Sequence, residues 1–189
     1  MKKIKYSSQF ISKSDIQAVT KQLKSEYITR GPSTNNFENK IKKVTNSKYC
    51  VVTNSATASL IIACKALGLK KNDVVWTTAN SFASTANSAI LCGAKVDFVD
   101  IELKYFNLCL EALEKKLKTT KKLPKIIIPI HYAGYPMDMK KFNKLKKKYK
   151  FKIIEDASHA IGAKIYNQNV GDCKYSDITV FSFQAVKVI

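Results

Sequence analysis

Arginine is nearly absent from this chain, which matters because the chain is strongly basic. The formal net charge at pH 7 is +19, yet Arg30 is the only arginine among 33 lysine and arginine residues. Proteins that read phosphates or bases commonly use the bidentate fork of arginine. The lysines concentrate in helix-like stretches such as 115–122 and 140–150, as solvated helix faces do. A nucleic-acid partner is therefore disfavoured, and a lysine-biased proteome explains the charge.

Paired cysteines and long apolar runs are also missing. The five cysteines show no CxxC motif and no paired spacing, and most lie in or beside apolar stretches, as free buried cysteines do. Neither a metal site nor a disulfide framework is indicated, which favours a reducing compartment. No run is long enough to span a membrane, and no apolar segment follows the N-terminal lysines. We therefore expect a cytoplasmic protein with no membrane partner.

Short apolar segments alternate regularly with helix-like segments. The expected helices cover residues 12–23, with Ser14 as a cap, 37–44, 56–67, 83–91, 108–117 and 139–149. The expected strands cover residues 49–53, 74–77, 95–99, 126–130, 151–155 and 178–182. Nearly all-apolar strands that alternate with helices are typical of a mostly parallel sheet covered on both faces. The sequence predicts one α/β domain over residues 1–189.

Polar residues gather where the expected strands end. Thr53 to Thr57 follow the first strand, Asn80 to Phe82 the second, and His131 the fourth; Asp156 and His159 follow the fifth, and Ser182 to Lys187 end the sixth. Ligands of open α/β sheets bind outside the carboxyl ends of the strands. These residues therefore predict one shared ligand site.

Asp156 and Lys187 point to a specific chemistry. Asp156 ends one apolar strand, and Lys187 lies 31 positions later, just past the next apolar strand. Pyridoxal phosphate (PLP) enzymes need such a pair, because a lysine amine forms a Schiff base with the cofactor aldehyde and a carboxylate keeps the pyridine nitrogen protonated. The alternatives are a surface lysine and an aspartate that caps a helix beginning at Ala157.

The remaining candidates each have a structural alternative too. The small residues Ser55, Ala56 and Thr57 would let helix N-terminal amide groups approach a phosphate, or would only cap the helix. Phe82 would stack on a flat ring, or pack in the core. The two histidines, His131 and His159, would contact a ligand or serve only the structure.

Six sequence strings together resemble the PLP-dependent sugar aminotransferases of the DegT/DnrJ/EryC1/StrS type. They are TRGP at 29–32, NSATA at 54–58, SFASTAN at 81–87, VDFVDI at 96–101, EDASHA at 155–160 and SFQAVK at 182–187. They occur in family order across essentially the whole chain. Residues 107–109, 123–126 and 173–180 look most like the branch that aminates a UDP-linked 4-keto-6-deoxy amino sugar on the way to pseudaminic acid.

The resemblance implies a fold, a reaction and a role for each matching residue. The fold is the three-layer α/β/α large domain of fold type I. The reaction transfers an amino group from glutamate to C4 of the sugar through pyridoxamine phosphate. Lys187 would form the Schiff base and shuttle protons, Asp156 would hold the pyridine nitrogen, Phe82 would stack on the ring and His159 would lie near its 3-oxygen. The phosphate would be held by Ser55, Ala56, Thr57 and Ser182.

The chain departs from the family pattern at three places. Ala56 replaces a common glycine, and Gln184-Ala185 replaces a common His-Pro. The family continues beyond the lysine with a further strand and a C-terminal domain, which help to form the substrate pocket and a homodimer. The sequence therefore predicts an N-terminal arm plus most of a PLP-binding domain, and a 189-residue chain without measurable aminotransferase activity. The alternative is a non-catalytic truncated remnant of such an enzyme.

Overall fold

The computed structural model describes residues 9–187, which form six α-helices and seven β-strands. The helices are α1 (Lys13–Leu23), α2 (Pro32–Thr45), α3 (Ala56–Ala66), α4 (Ala83–Leu91), α5 (Leu110–Thr119) and α6 (Met139–Tyr149). The strands are β1 (Val74–Thr77), β2 (Lys95–Phe98), β3 (Ile126–Ile127), β4 (Lys152–Asp156), β5 (Lys164–Ile165), β6 (Gln168–Asn169) and β7 (Ile178–Val180).

Five strands form one parallel sheet in the order β2-β1-β3-β4-β7. Val75 in β1 lies opposite Val96 in β2 and Ile126 in β3, so the chain adds strands first on one side of β1 and then on the other. Such a reversal of strand order opens a crevice at the carboxyl ends of the strands. The expected mostly parallel sheet is confirmed.

Side chains of successive strand residues enter two separate cores. Val75 and Ile154 pack against α3 and α4 on one face, whereas Trp76 and Ile153 pack against α5 and α6 on the other. This alternation follows from the two-residue period of a strand. Helices thus cover both faces of the sheet, as the expected three-layer architecture requires.

The expected strand at residues 49–53 is wrong. This segment joins no sheet, and Tyr49 and Val51 are about three quarters exposed. The backbone amide of Val52 instead donates to the Glu38 side chain. Apolar, β-branched residues favour an extended backbone, but a strand also needs a neighbouring backbone to pair with. Within residues 9–187 this segment has no such neighbour.

Two expected strands are shorter than the sequence pattern indicated. The ladder of β3 ends after Ile127, because Pro129 lacks an amide hydrogen, and Ile130 makes only an isolated bridge to Asp156. The last strand ends at Val180 rather than at Ser182. Both shortenings free the following residues to form loops at the carboxyl edge of the sheet.

The antiparallel hairpin formed by β5 and β6 was not expected from the sequence. Its two central turn residues, Tyr166 and Asn167, both have positive φ, at 49° and 58°. Two positive φ values mark the type I′ turn that suits the twist of a hairpin. Asn167 was the available signal, since asparagine tolerates this conformation well.

Most helix boundaries lie within two residues of the expected ones, but the expected start of α2 at residue 37 is wrong: α2 begins at Pro32, because Gly31 is its N-cap and proline suits the first helical position. The cap of α1 also differs. The observed α4 and α6 begin and end at the expected residues. Ser12, not Ser14, caps α1, because Ser12 and Asp15 form a reciprocal capping box. The apolar residues of α1 recur at helical spacing as expected, but none of them is buried.

Candidate active site

One cleft at the carboxyl edge of the sheet contains all eight site residues expected from the sequence. It has a volume of about 1650 Å³. The residues come from four regions: the start of α3, the start of α4, the end of β4 and the segment after β7. They are Ser55, Ala56, Thr57, Phe82, Asp156, His159, Ser182 and Lys187. Residues that lie up to 132 positions apart are thus brought to one surface.

Asp156 presents a carboxylate that is buried and held by three hydrogen bonds. The Thr85 hydroxyl donates to Oδ2 at 2.7 Å, and the Ser158 amide and hydroxyl donate to Oδ1 at 3.2 and 2.6 Å. Within residues 9–187 no basic side chain forms an ion pair with this carboxylate. A buried carboxylate without a cation is costly, so the site suits a cationic or N–H-donating ligand.

The idea that Asp156 caps a helix at Ala157 is wrong. Residues 157–162 form turns, and Asp156 is the last residue of β4. Its bonds to Ser158 close a local Asx-type turn instead. This turn reverses the chain and directs His159 toward the cleft.

Phe82 lines the cleft and is 74% exposed as a residue. It occupies the N-cap position of α4. Phe82 is therefore not packed in the core, which was the alternative role expected for it. An exposed aromatic face beside a buried carboxylate suits a flat, electron-poor ring.

Lys187 reaches into the same cleft and contacts two of the other residues. Its Nζ lies 2.8 Å from Nε2 of His159 and 6.0 Å from the centre of the Phe82 ring. Burial and the charge of Lys187 lower the pKa of His159, and the charge of Asp156 opposes them. The amine is thus held beside an aromatic ring and a histidine that favours its neutral form.

The start of α3 forms the opposite part of the cleft. Ser55 is the N-cap, and its Oγ accepts a hydrogen bond of 3.2 Å from the Ala58 amide. The Thr57 hydroxyl pairs with that of Ser84 at 2.8 Å. Ala56 does not have positive φ, so this position does not require glycine. Ser55 therefore caps the helix, and the first amide groups of the helix face the cleft, where an anion binds favourably.

His131 does not offer a free nitrogen to the cleft, contrary to one of its two expected roles. Its ring is buried; Nδ1 accepts from the Met137 amide at 2.9 Å, and Nε2 lies 2.7 Å from Oε2 of Glu155. The Ser176 and Thr179 hydroxyls donate to Oε1 of the same carboxylate. In the sequence, the acidic pair Glu155-Asp156 was the one available signal of this network.

The network determines the charge of Glu155. Burial tends to raise its pKa, but hydrogen bonds from His131, Ser176 and Thr179 lower the pKa below the usual glutamate value. The two neighbouring carboxylates thus have different surroundings. Glu155 is enclosed by its hydrogen-bond partners, whereas Asp156 lines the cleft.

Glu155→Gln is expected to reduce the pH dependence of stability. The lowered pKa means that Glu155 stabilises the fold at pH values above about 4.3 and loses this contribution as the pH falls through its folded pKa. At neutral pH the variant should lose about 1.5–3 kcal/mol, the usual contribution of hydrogen bonds to a charged group. Urea unfolding between about pH 7 and pH 3 measures both effects. The exposed Glu26→Gln is the control, and parallel curves for wild type and Glu155→Gln would contradict the expectation.

Two further findings limit the kinds of site present. Among residues 9–187 no three or more His, Cys, Asp or Glu side chains are grouped so that they could hold a metal ion. In the same range no helix has both the length and the apolar character needed to cross a bilayer.

Comparison with known proteins gives concordant results. The profile of the DegT/DnrJ/EryC1/StrS aminotransferase family matches residues 9–189. A UDP-4-amino-4,6-dideoxy-N-acetyl-beta-L-altrosamine transaminase of Campylobacter jejuni is 40% identical over 184 residues, which are 97% of this chain and 48% of that protein.

Solved structures of two relatives match this chain over about half of their own length. Helicobacter pylori PseC, an aminotransferase involved in the biosynthesis of pseudoaminic acid, superimposes with a TM-score of 0.90 at 31% identity, over 98% of this chain and 49% of its own. Spr1654 of Streptococcus pneumoniae in its PLP form gives a TM-score of 0.88 at 30% identity, over 97% and 50%. This chain spans about half the length of the relatives that it matches. It belongs to the DegT/DnrJ/EryC1/StrS aminotransferase family.

Proposed function

We propose that this chain carries the PLP-binding residues of an aminotransferase that moves an amino group from glutamate to C4 of a UDP-linked 4-keto-6-deoxy amino sugar. The observation that carries the proposal is the cleft itself. It combines a buried carboxylate, Asp156, that has no ion-pair partner among the described residues with an exposed aromatic residue, Phe82, and a lysine amine, Lys187.

Each part of PLP has a matching group in the cleft. The Asp156 carboxylate is fixed by Thr85 and Ser158, so it can accept a hydrogen bond from a pyridine N–H without rearranging. The Phe82 ring is free to stack. The start of α3 and Ser182 offer polar groups to a phosphate. These three features lie around one space, and the residues therefore fit the cofactor.

Each of these residues would have a separate role in the reaction. When bound, PLP supplies an aldehyde that exchanges amino groups and a ring that withdraws electrons. Asp156 would hold a proton at the ring nitrogen and so maintain the withdrawal of electrons. Lys187 would supply the amine that attaches the cofactor and, when free, would move a proton to or from the carbon that exchanges the amino group. The Phe82 ring and the start of α3 fix the orientation of the cofactor.

The substrate assignment is supported by the relatives rather than by the cleft geometry. The Campylobacter jejuni relative is named for a UDP-linked amino sugar, and PseC for pseudoaminic acid biosynthesis. We also propose glutamate as the amino donor, a homodimer for the longer enzyme and a cytoplasmic location.

The function is tested in two steps, the first of which needs no turnover. The 189-residue chain is titrated with PLP, reduced with borohydride and digested, and the modified peptide is identified by mass spectrometry. We expect the label on Lys187 and on no other of the many lysines. A chain that folds but takes up no label at Lys187 would instead support a non-catalytic remnant.

The second step measures amino transfer. We would join residues 1–187 to the part of the Campylobacter jejuni relative that this chain does not match, and assay the product with glutamate and a UDP-4-keto sugar. The chimera should transfer the amino group, whereas we expect the 189-residue chain alone to show no measurable turnover. If Lys187 is labelled but a folded chimera transfers no amino group, the proposed substrate would be contradicted and the proposed cofactor would still be supported.

A further inference from the structure

The contact between Lys187 and His159 has a consequence for proton transfer. The 2.8 Å bond from Nζ to Nε2 is the only side-chain hydrogen bond of Lys187 within residues 9–187. Phe82, the other group near the amine, cannot accept a proton. Asp156 forms no hydrogen bond or ion pair with this amine among the described residues, and its oxygens accept from Thr85 and Ser158. Within residues 9–187, His159 is therefore the side chain with a lone pair in hydrogen-bond contact with the amine.

The position of His159 is fixed by its surroundings. The loop at 132–134 approaches so closely that a Cβ atom added to Gly134 would lie 2.6 Å from the His159 carbonyl oxygen, and Gly134 has a φ of +85°. Two charged groups act on the His159 imidazole: Lys187, from the segment after β7, and Asp156, from β4. The imidazole is thus held between a cation and an anion.

The protonation state of His159 follows from these contacts. An Nε2 that accepts a hydrogen bond from the amine carries no proton itself, so the neutral ring holds its proton on Nδ1. Burial and the cationic Lys187 lower the pKa of His159, which keeps the ring neutral at physiological pH. The opposing charge of Asp156 lessens the cost of a transient imidazolium.

We propose that His159 is the base that removes a proton from the Lys187 ammonium group and so prepares the amine for covalent attachment of the cofactor. The proposal rests on the proposed function and assigns His159 a proton-transfer role beyond contact with the ring oxygen. An N–H bond breaks at Nζ and a new one forms at Nε2. The amine lone pair then forms the bond to the aldehyde carbon. The aldehyde oxygen leaves as water, with one hydrogen from the amine and the proton returned by the imidazolium.

The test compares wild type, His159→Gln and His159→Ala in the rate at which Lys187 becomes labelled. Each chain is mixed with PLP at pH values from about 6 to about 10 and reduced with borohydride at timed intervals, and the Lys187 peptide is quantified. Glutamine can accept a hydrogen bond from the amine but cannot take its proton. Circular dichroism checks that each variant is folded.

If His159 transfers the proton, Lys187 should be labelled more slowly in His159→Gln than in wild type, by on the order of 10²-fold near pH 7. This is the lower end of usual general-base effects. The difference should shrink toward pH 10, where hydroxide frees the amine without help. Added imidazole should restore the rate of His159→Ala, because it can enter the space left by the ring and act as the base.

Three results would overturn the proposal, and they are distinguishable. Equal rates for His159→Gln and wild type at all pH values would show that only a hydrogen bond is needed. A loss that is independent of pH and not rescued by imidazole would show a purely structural role. Absence of Lys187 labelling in wild type would overturn the proposed function together with this inference.

Discussion

Lys187→Ala is expected to abolish covalent labelling of this chain by PLP and borohydride. Among residues 9–187, no other side chain places an amine beside both the Phe82 ring and His159. In the chimera with the Campylobacter jejuni relative, amino transfer should fall by about 10²- to 10⁴-fold or more, because the same amine carries the proton that the reaction must move. The measurements are the mass of the labelled peptide and the rate of amino transfer.

The stability of Lys187→Ala should remain within about 0.5 kcal/mol of wild type, since the Lys187 side chain is only half-buried and forms one side-chain hydrogen bond within residues 9–187. The matched control is Lys174→Ala, which removes an exposed lysine outside the cleft and should leave labelling and transfer unchanged. Undiminished labelling of Lys187→Ala, on whichever lysine, would refute the assignment of the reactive amine.

Asp156→Asn is expected to weaken PLP binding strongly while leaving the fold intact. The substitution keeps the shape of the side chain and removes the charge that would face the pyridine nitrogen. Removing one partner of a buried, hydrogen-bonded charge pair costs about 2–5 kcal/mol, which corresponds to a roughly 30-fold to several thousand-fold increase in Kd. Equilibrium titration with PLP, followed by absorbance or fluorescence, measures the change.

Because asparagine can keep the local hydrogen bonds, a change in PLP affinity caused by Asp156→Asn reports the loss of the negative charge. The Asn oxygen can still accept from Ser158, and its amide can donate to the Thr85 hydroxyl, which also accepts a bond from Ser81 at present. Asp172→Asn is the control, since it removes the same charge from the rim of the cleft. If Asp156→Asn bound PLP as tightly as wild type, Asp156 would not be the partner of the ring nitrogen.

Local patterns in the sequence were sufficient for most of the elements and for the candidate residues. The limits of α4, α6 and β1 agree with the expected ones, because helical or strand periodicity ends at clear stop signals such as Gly93, which has a φ of +80°. The residues of the cleft were identifiable because polar side chains at strand ends stand out against apolar strands. Family resemblance then assigned them roles that the geometry alone does not test.

Contacts between distant segments could not be derived in this way. Residues 49–53 have the composition of a strand, yet whether a strand forms depends on a partner backbone elsewhere. The Glu155–His131 network and the contact of Lys187 with His159 depend likewise on which atoms meet in three dimensions. Periodicity and turn preferences describe a residue's near neighbours along the chain. Hydrogen-bond partners and charge in the cleft are set by the packing of helices and strands that are far apart in sequence, so the folded structure alone decided which side chains fix the carboxylate and hold the amine.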